Sequence, residues 1–228
     1  MKYFVSNPDL DKQISEIRQK IRLSMNGVVS EQMTQKGILY KNNFGVSIPR
    51  IKEIATGYHP NHELAQRLWA LQIRETMIMA TLLEPVENFT SELANEWAES
   101  FNQIEIVEQV CMNMLSKVPF ATELCINWTD SDSIWIQIAG FMLAARVYEK
   151  LDQLQLSLII QKAFEISETE HFHLYKAVAV CLGRFCRKDR DTAGFIFREM
   201  TKPQENETIG KQFISNEVKQ EMLFLGIL

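Results

Sequence analysis

Glycine and proline are scarce in this 228-residue chain, at nine and six. They fall mostly between segments of helical periodicity, so they punctuate elements more than they interrupt them. No stretch alternates apolar and polar residues as a half-buried strand does, which excludes a β-rich fold. No uncharged run approaches the roughly 18–20 residues of a membrane span. The opening MKYFVSNPDLDKQ carries acids early and has no apolar stretch long enough for a signal peptide. The expected compartment is therefore the cytoplasm. Cysteine is limited to Cys111, Cys125, Cys181 and Cys186, with no CxxC spacing, inside apolar helical patterns. They read as buried thiols and not as a disulfide or metal framework. An excess of positive charge is also missing, because the formal net charge is −5. A dedicated duplex-DNA binder draws most of its affinity from phosphate contacts, so this balance counts against strong DNA binding but leaves room for a local basic face.

What is present is helix. The chain is 46% hydrophobic and 23% charged, enough for a sizeable core. Helical periodicity runs from about residue 9 to the end. The segment FGVSIPRIKEIA reads as a loop and a helix start, with Ser47 as N-cap and Pro49 in the first turn. Further helices are expected near 61–71, 73–84, 89–101, 103–117, 119–127, 132–148, 151–166, 170–186, 189–201 and 215–225. The last of these is a capping helix within 201–228, with Ser215 or Asn216 as its N-cap. Three helices are apolar nearly all round: TMIMATLL, SIWIQIAGFMLAA and LYKAVAVCLGRF. Neighbours such as SELANEWAESF are amphipathic. Apolar helices begin near 73, 104, 133 and 171, at intervals of about 30 to 40 residues. That is the pattern of a two-helix repeat whose inner helix is sandwiched between neighbours and has no wet face. The expected fold is all-α, an α–α superhelix forming a single domain over residues 1–228. A compact irregular helical bundle is the rival.

Few constellations suggest chemistry. Glu105 and Glu108 sit at i and i+3 on one helix face, where paired carboxylates serve acid–base work or stabilise a cation. Taken alone, the pair is more simply a solvated helix face. HPNHE (His59, His62, Glu63) and HFH (His171, His173) lack the helical i,i+4 pair plus third ligand that zinc requires, so no metal is expected. There is no phosphate-binding glycine loop and no nucleophile elbow, and no cofactor is expected. Basic residues cluster at Lys36, Lys41, Arg50 and Lys52, and again at Arg184, Arg187, Lys188 and Arg190. The second cluster closes an apolar helix, where cations favour the helix dipole. It is also a candidate phosphate-contacting edge.

Four segments carry a family likeness: YKNNFGVSIPRIKEI, with Lys52 as its basic residue; QRLWALQIRE, with Trp69, Arg74 and Glu75; NWTDSDSIWIQIAGFML; and EHFHLYKAVAVCLGRF, with Lys176 and Ala177. In order and spacing the chain resembles, over about residues 30–200, the bacterial DNA alkylation repair glycosylases built from HEAT-like repeats (the AlkD-like family). The resemblance implies a HEAT-like repeat solenoid whose concave face holds duplex DNA. It also implies an enzyme that cleaves the N-glycosidic bond of alkylated purines. In that family an Asp supports the developing oxocarbenium charge and the attacking water, two Trp side chains pack on the sugar, and an Arg binds nearby phosphate. An anion facing a cationic sugar lowers the barrier.

Matched by position, the family's Asp falls on Glu108 and its companion acid on Glu105. The preceding Trp falls on Ile104, the phosphate-binding Arg on Ile138, and the second Trp on Val180. An added methylene displaces a carboxylate by about 1 Å, enough to cost on the order of 100-fold in rate. A lost charge-assisted phosphate contact costs about 1.5–3 kcal/mol. Each lost stacking aromatic removes about 1–3 kcal/mol more. All three replacements suit a hydrophobic interior and imply a repacked groove. The leading expectation is a catalytically impaired relative, a monomeric scaffold for DNA or for a protein partner. The alternative is an active glycosylase for N3- or N7-alkylated purines that uses Glu108. Where DNA is the partner, Lys41, Arg50, Lys52, Lys176, Arg184, Arg187 and Lys188 are the candidate residues that hold it.

Overall fold

A computed structural model describes residues 4–202 and 208–228. Among them thirteen α-helices occur in chain order: α1 Pro8–Leu23, α2 Gly27–Gln35, α3 Ile48–Ala55, α4 His62–Ala70, α5 Arg74–Leu83, α6 Ser91–Ala98, α7 Ile104–Asn113, α8 Ala121–Thr129, α9 Ile134–Val147, α10 Gln153–Glu165, α11 Phe172–Phe185, α12 Arg190–Met200 and α13 Ile209–Phe224. No strand is present among the described residues. The chain divides between Thr90 and Ser91 into two compact units.

The first unit is organised around α5, which is buried along almost its whole length and packs against α3 and α4. Its two leading residues explain why an Arg-Glu pair follows the Trp69 helix. Glu75 is fully buried and accepts hydrogen bonds from the Phe44 (3.1 Å) and Val46 (3.2 Å) amides. Arg74 Nη1 donates to the Val46 carbonyl at 2.8 Å and to Glu75 at 3.0 Å. A buried pair of opposite charge, satisfied by backbone groups, thus pins the loop ahead of α3. Gly45 completes the loop. It adopts φ +66, and a Cβ there would lie 2.2 Å from the Asn26 carbonyl oxygen, so only glycine fits. Ser47 caps α3 with Pro49 in its first turn, and Asn61 caps α4 through the Leu64 amide at 2.8 Å, both as the sequence indicates.

In the second unit, helices alternate between two layers. α7, α9, α11 and α13 lie side by side, α9 packing on both α7 and α11, and α11 on α13. α8, α10 and α12 form the other layer. The first-layer helices begin at residues 104, 134, 172 and 209, a spacing of about 30 to 40 residues that matches the expected repeat. The central helix α9 buries Ile138, Ala139, Gly140, Phe141, Leu143, Ala144, Ala145 and Val147. Its middle is dry, as expected of an inner helix, but its ends are not. Ile134 is 41% exposed and Arg146 is exposed. Gly140 is the point of closest approach, since a Cβ there would meet the Thr129 amide nitrogen at 2.6 Å and the Trp128 carbonyl carbon at 2.8 Å.

The expected start of the final helix needs correction. α13 begins at Ile209, not at 215, and Thr208 caps it through the Lys211 amide. The Ser215 hydroxyl instead donates to the Met200 carbonyl at 2.6 Å, tying α13 to α12 from mid-helix. All four cysteines are buried and free. Burial pushes the Cys111 and Cys186 thiols up to about 12. No helix among the described residues is long and apolar enough to cross a membrane.

Candidate functional site

The ten-residue helix α7 buries Ile106, Val107, Val110 and Cys111 against the rest of the second unit. That orientation leaves Ile104, Glu105, Glu108 and Met112 partly exposed. Ile104 and Glu108 are one turn apart on this face, and Glu105 stands beside them. Partial burial raises the Glu108 carboxyl above its ordinary value, and the neighbouring Glu105 charge adds to the rise. The guanidinium of Arg146, at the end of α9, partly offsets it. Sequence reasoning missed Arg146. It becomes visible only when α9 is laid beside α7, because 38 residues of chain separate it from Glu108.

The three substituted positions do not share one environment. Ile138 is fully buried, as a repacked interior demands. Ile104 is only half-buried, and Val180 is 47% exposed. The expectation that all three had moved into a hydrophobic interior therefore holds at Ile138 alone.

The outward face of α11 carries Lys176, Val180 and Arg184, all exposed and four residues apart, and the exposed Arg187 follows in the turn just after the helix. This stripe is continuous because the opposite face of α11 is committed to packing through Leu174, Val178, Cys181, Leu182 and Phe185. The Lys176 ammonium lies 4.2 Å from the centre of the Phe172 ring. Arg187 is ion-paired through Nε with Glu221 of α13. Glu217 and Glu221 line a cleft together with Val180, Arg184 and Arg187. Lys188 faces elsewhere, its ammonium donating to the Tyr148 carbonyl at 3.3 Å and to the Leu151 carbonyl. It anchors the turn between α9 and α10.

Lys41, Arg50 and Lys52 are exposed in the first unit. Arg50 pairs with Glu53 at 2.7 Å, and its Nε donates to the Ser24 hydroxyl at 3.1 Å. His62 Nδ1 lies 2.6 Å from the buried Glu84 carboxylate, and His59 is exposed in its loop. His171 caps α11. Among the described residues no group of three or more His, Cys, Asp or Glu is arranged to hold a metal ion.

The family model for the DNA alkylation repair enzyme matches residues 13–206. The chain belongs to the DNA alkylation repair enzyme family. A solved structure of similar fold is described as a new family of proteins related to the HEAT-like repeat DNA glycosylases, with affinity for branched DNA structures. It superposes with a TM-score of 0.76 at 16% identity, over 94% of this chain and 95% of that one. At that identity the likeness shows the fold, which is all-α and HEAT-like. No curated protein matches the sequence.

Proposed function

We propose that this member of the family binds DNA without excising bases, holding the phosphate backbone along α11. The observation that carries this reading is the pairing of exposed Lys176 and Arg184 along α11 with a fully buried Ile138. The stripe supplies cations for phosphates, and the position matched to the family's phosphate-binding Arg supplies none. Glu108 is also poorly set for glycosidic cleavage. The chemistry needs a carboxylate anion facing a cationic sugar. Burial shifts Glu108 towards the neutral acid, Arg146 acts against that shift, and Glu105 adds to it. No aromatic stands at Ile104 or Val180 to seat the sugar. The affinity of the fold neighbour for branched DNA supports DNA as the class of partner.

A glycosylase reading keeps one observation in its favour. Glu108 remains accessible to solvent, with the Arg146 charge acting on it. Release of 7-methylguanine or 3-methyladenine from methylated duplex DNA separates the two readings, with Glu108→Gln as control. The expected outcome is salt-sensitive duplex binding and no release above the control at micromolar protein. Release that Glu108→Gln abolishes would overturn the binding-only reading. Undetectable duplex binding would overturn the duplex-binding reading.

A further inference from the structure

Three of the four tryptophans are buried: Trp69 at 6%, Trp97 at 1% and Trp128 at 3% exposed. Trp135 is not. It stands in the first turn of α9, partly open to solvent, beside the first turn of α11. Its ring centre lies 5.7 Å from that of His173, tilted by 34°, and 6.2 Å from that of His171. Phe172 is 52% exposed and meets His173 edge-on at 5.2 Å. Lys176 places its ammonium 4.2 Å from the Phe172 ring centre and 5.7 Å from that of Phe213. Packing does not call for this. Core aromatics bury their faces, whereas here an indole and a phenyl are left half-wet with a cation between rings.

The location adds a second feature. Ser133 occupies the N-cap of α9 without bonding a first-turn amide, so the amides of the turn that carries Trp135 have no side-chain cap. An anion fits there. The exposed face of α11 runs from this cluster through Lys176 and Val180 to Arg184, with Arg187 in the turn beyond. Burial, then His171 and Lys176, lowers the affinity of His173 for a proton where its ring faces Trp135. Asp132 and Glu170 are exposed just ahead of the two helices and weaken long-range attraction of any polyanion. Recognition here therefore rests on stacking and not on charge alone.

We infer that Trp135, Phe172 and His173 form a stacking platform for unpaired nucleotides of a DNA strand whose backbone follows α11. The inference rests on the DNA-binding reading above and sharpens it, because a platform of flat rings takes bases only where they are not paired. Every base presents a π-face, so no sequence preference is expected.

The test compares a paired duplex, the same duplex carrying a five-nucleotide thymidine gap, and oligothymidylate. Trp135 is the partly exposed tryptophan, so its emission reports occupancy directly. Oligothymidylate is expected to quench the intrinsic fluorescence, and Trp135→Phe is expected to abolish the change. Phe172→Ala removes a ring that is 52% exposed. It is expected to weaken binding of the gapped duplex about 5- to 100-fold and the paired duplex far less. A duplex that binds as tightly as the gapped one, or Phe172→Ala weakening both alike, overturns the platform and leaves the DNA-binding reading standing. Quenching by oligothymidylate without duplex binding supports the platform and overturns the duplex reading. Binding of none of the three DNAs overturns both.

Discussion

Glu108 is subject to opposing influences. Burial and the Glu105 charge favour its neutral form, and Arg146 favours the anion, with burial the largest. The folded chain therefore holds a proton at Glu108 at a pH where the unfolded chain, near the ordinary value of 4.5, has released it. The native state binds more protons in that window, so this residue's contribution to stability is complete below about pH 4.5 and is lost as pH rises through the raised value. Glu108→Gln removes the titration. Its stability relative to the parent is expected to rise between pH 4 and pH 7, read from paired thermal melts. A constant difference across that range would show that Glu108 is not held above its ordinary value. Glu75 is a contrasting acid. It is more deeply buried, but two backbone amides and Arg74 satisfy it. Burial alone does not make a carboxyl a site; a carboxyl that is half-wet and only partly compensated is the better candidate.

At the scale of the element, α9 determines how closely the two layers approach. Gly140 lies mid-helix, where glycine costs about 0.5–1 kcal/mol relative to alanine in an open helix. Here the trend reverses, because an added methyl would press on the backbone of Trp128 and Thr129, which cannot swing aside. Gly140→Ala is expected to lower the unfolding free energy by about 1–3 kcal/mol in urea titration. A stabilised variant would mean that α8 can move away. Helix existence and repeat spacing were legible in the sequence because an inner helix is apolar nearly all round, as α5 and the middle of α9 are, while α11 keeps one wet face at Lys176 and Arg184. The onset of α13 was not legible. Ser215 has the chemistry of an N-cap, but its hydroxyl is taken by the Met200 carbonyl fifteen residues away, and the helix begins earlier at Thr208. The matched acid positions on α7 could be located from sequence because they are local. Arg146 beside Glu108, and Trp135 beside His173, could not, since each pair joins different helices. The exposure of Val180 was hidden for a related reason: an aliphatic residue suits a core, and only the packing of α11 shows which face is wet.

At the scale of the molecule, charge sets how DNA can be held. A net charge of −5 repels a polyanion at long range, so binding must come from a short stretch of cations and must weaken steeply with salt. Within the second unit that stretch is itself contested. Glu221 already neutralises Arg187, and Glu217 faces the same cleft. A phosphate approaching Arg187 must displace a carboxylate, so Arg187 adds little net affinity while Glu221 remains charged. Glu221→Gln releases the guanidinium without removing the side-chain packing. Duplex affinity is expected to rise by up to about fivefold at low salt, since a partly exposed ion pair is worth up to about 1 kcal/mol. The slope of log affinity against log salt is expected to steepen by about 0.9, the signature of one additional phosphate contact. Measured by fluorescence anisotropy over a salt series, a higher affinity with an unchanged slope would mean that Glu221 acts only by general repulsion. An unchanged affinity would place the phosphate path away from Arg187, leaving Lys176 and Arg184 as the cations of α11 that carry it.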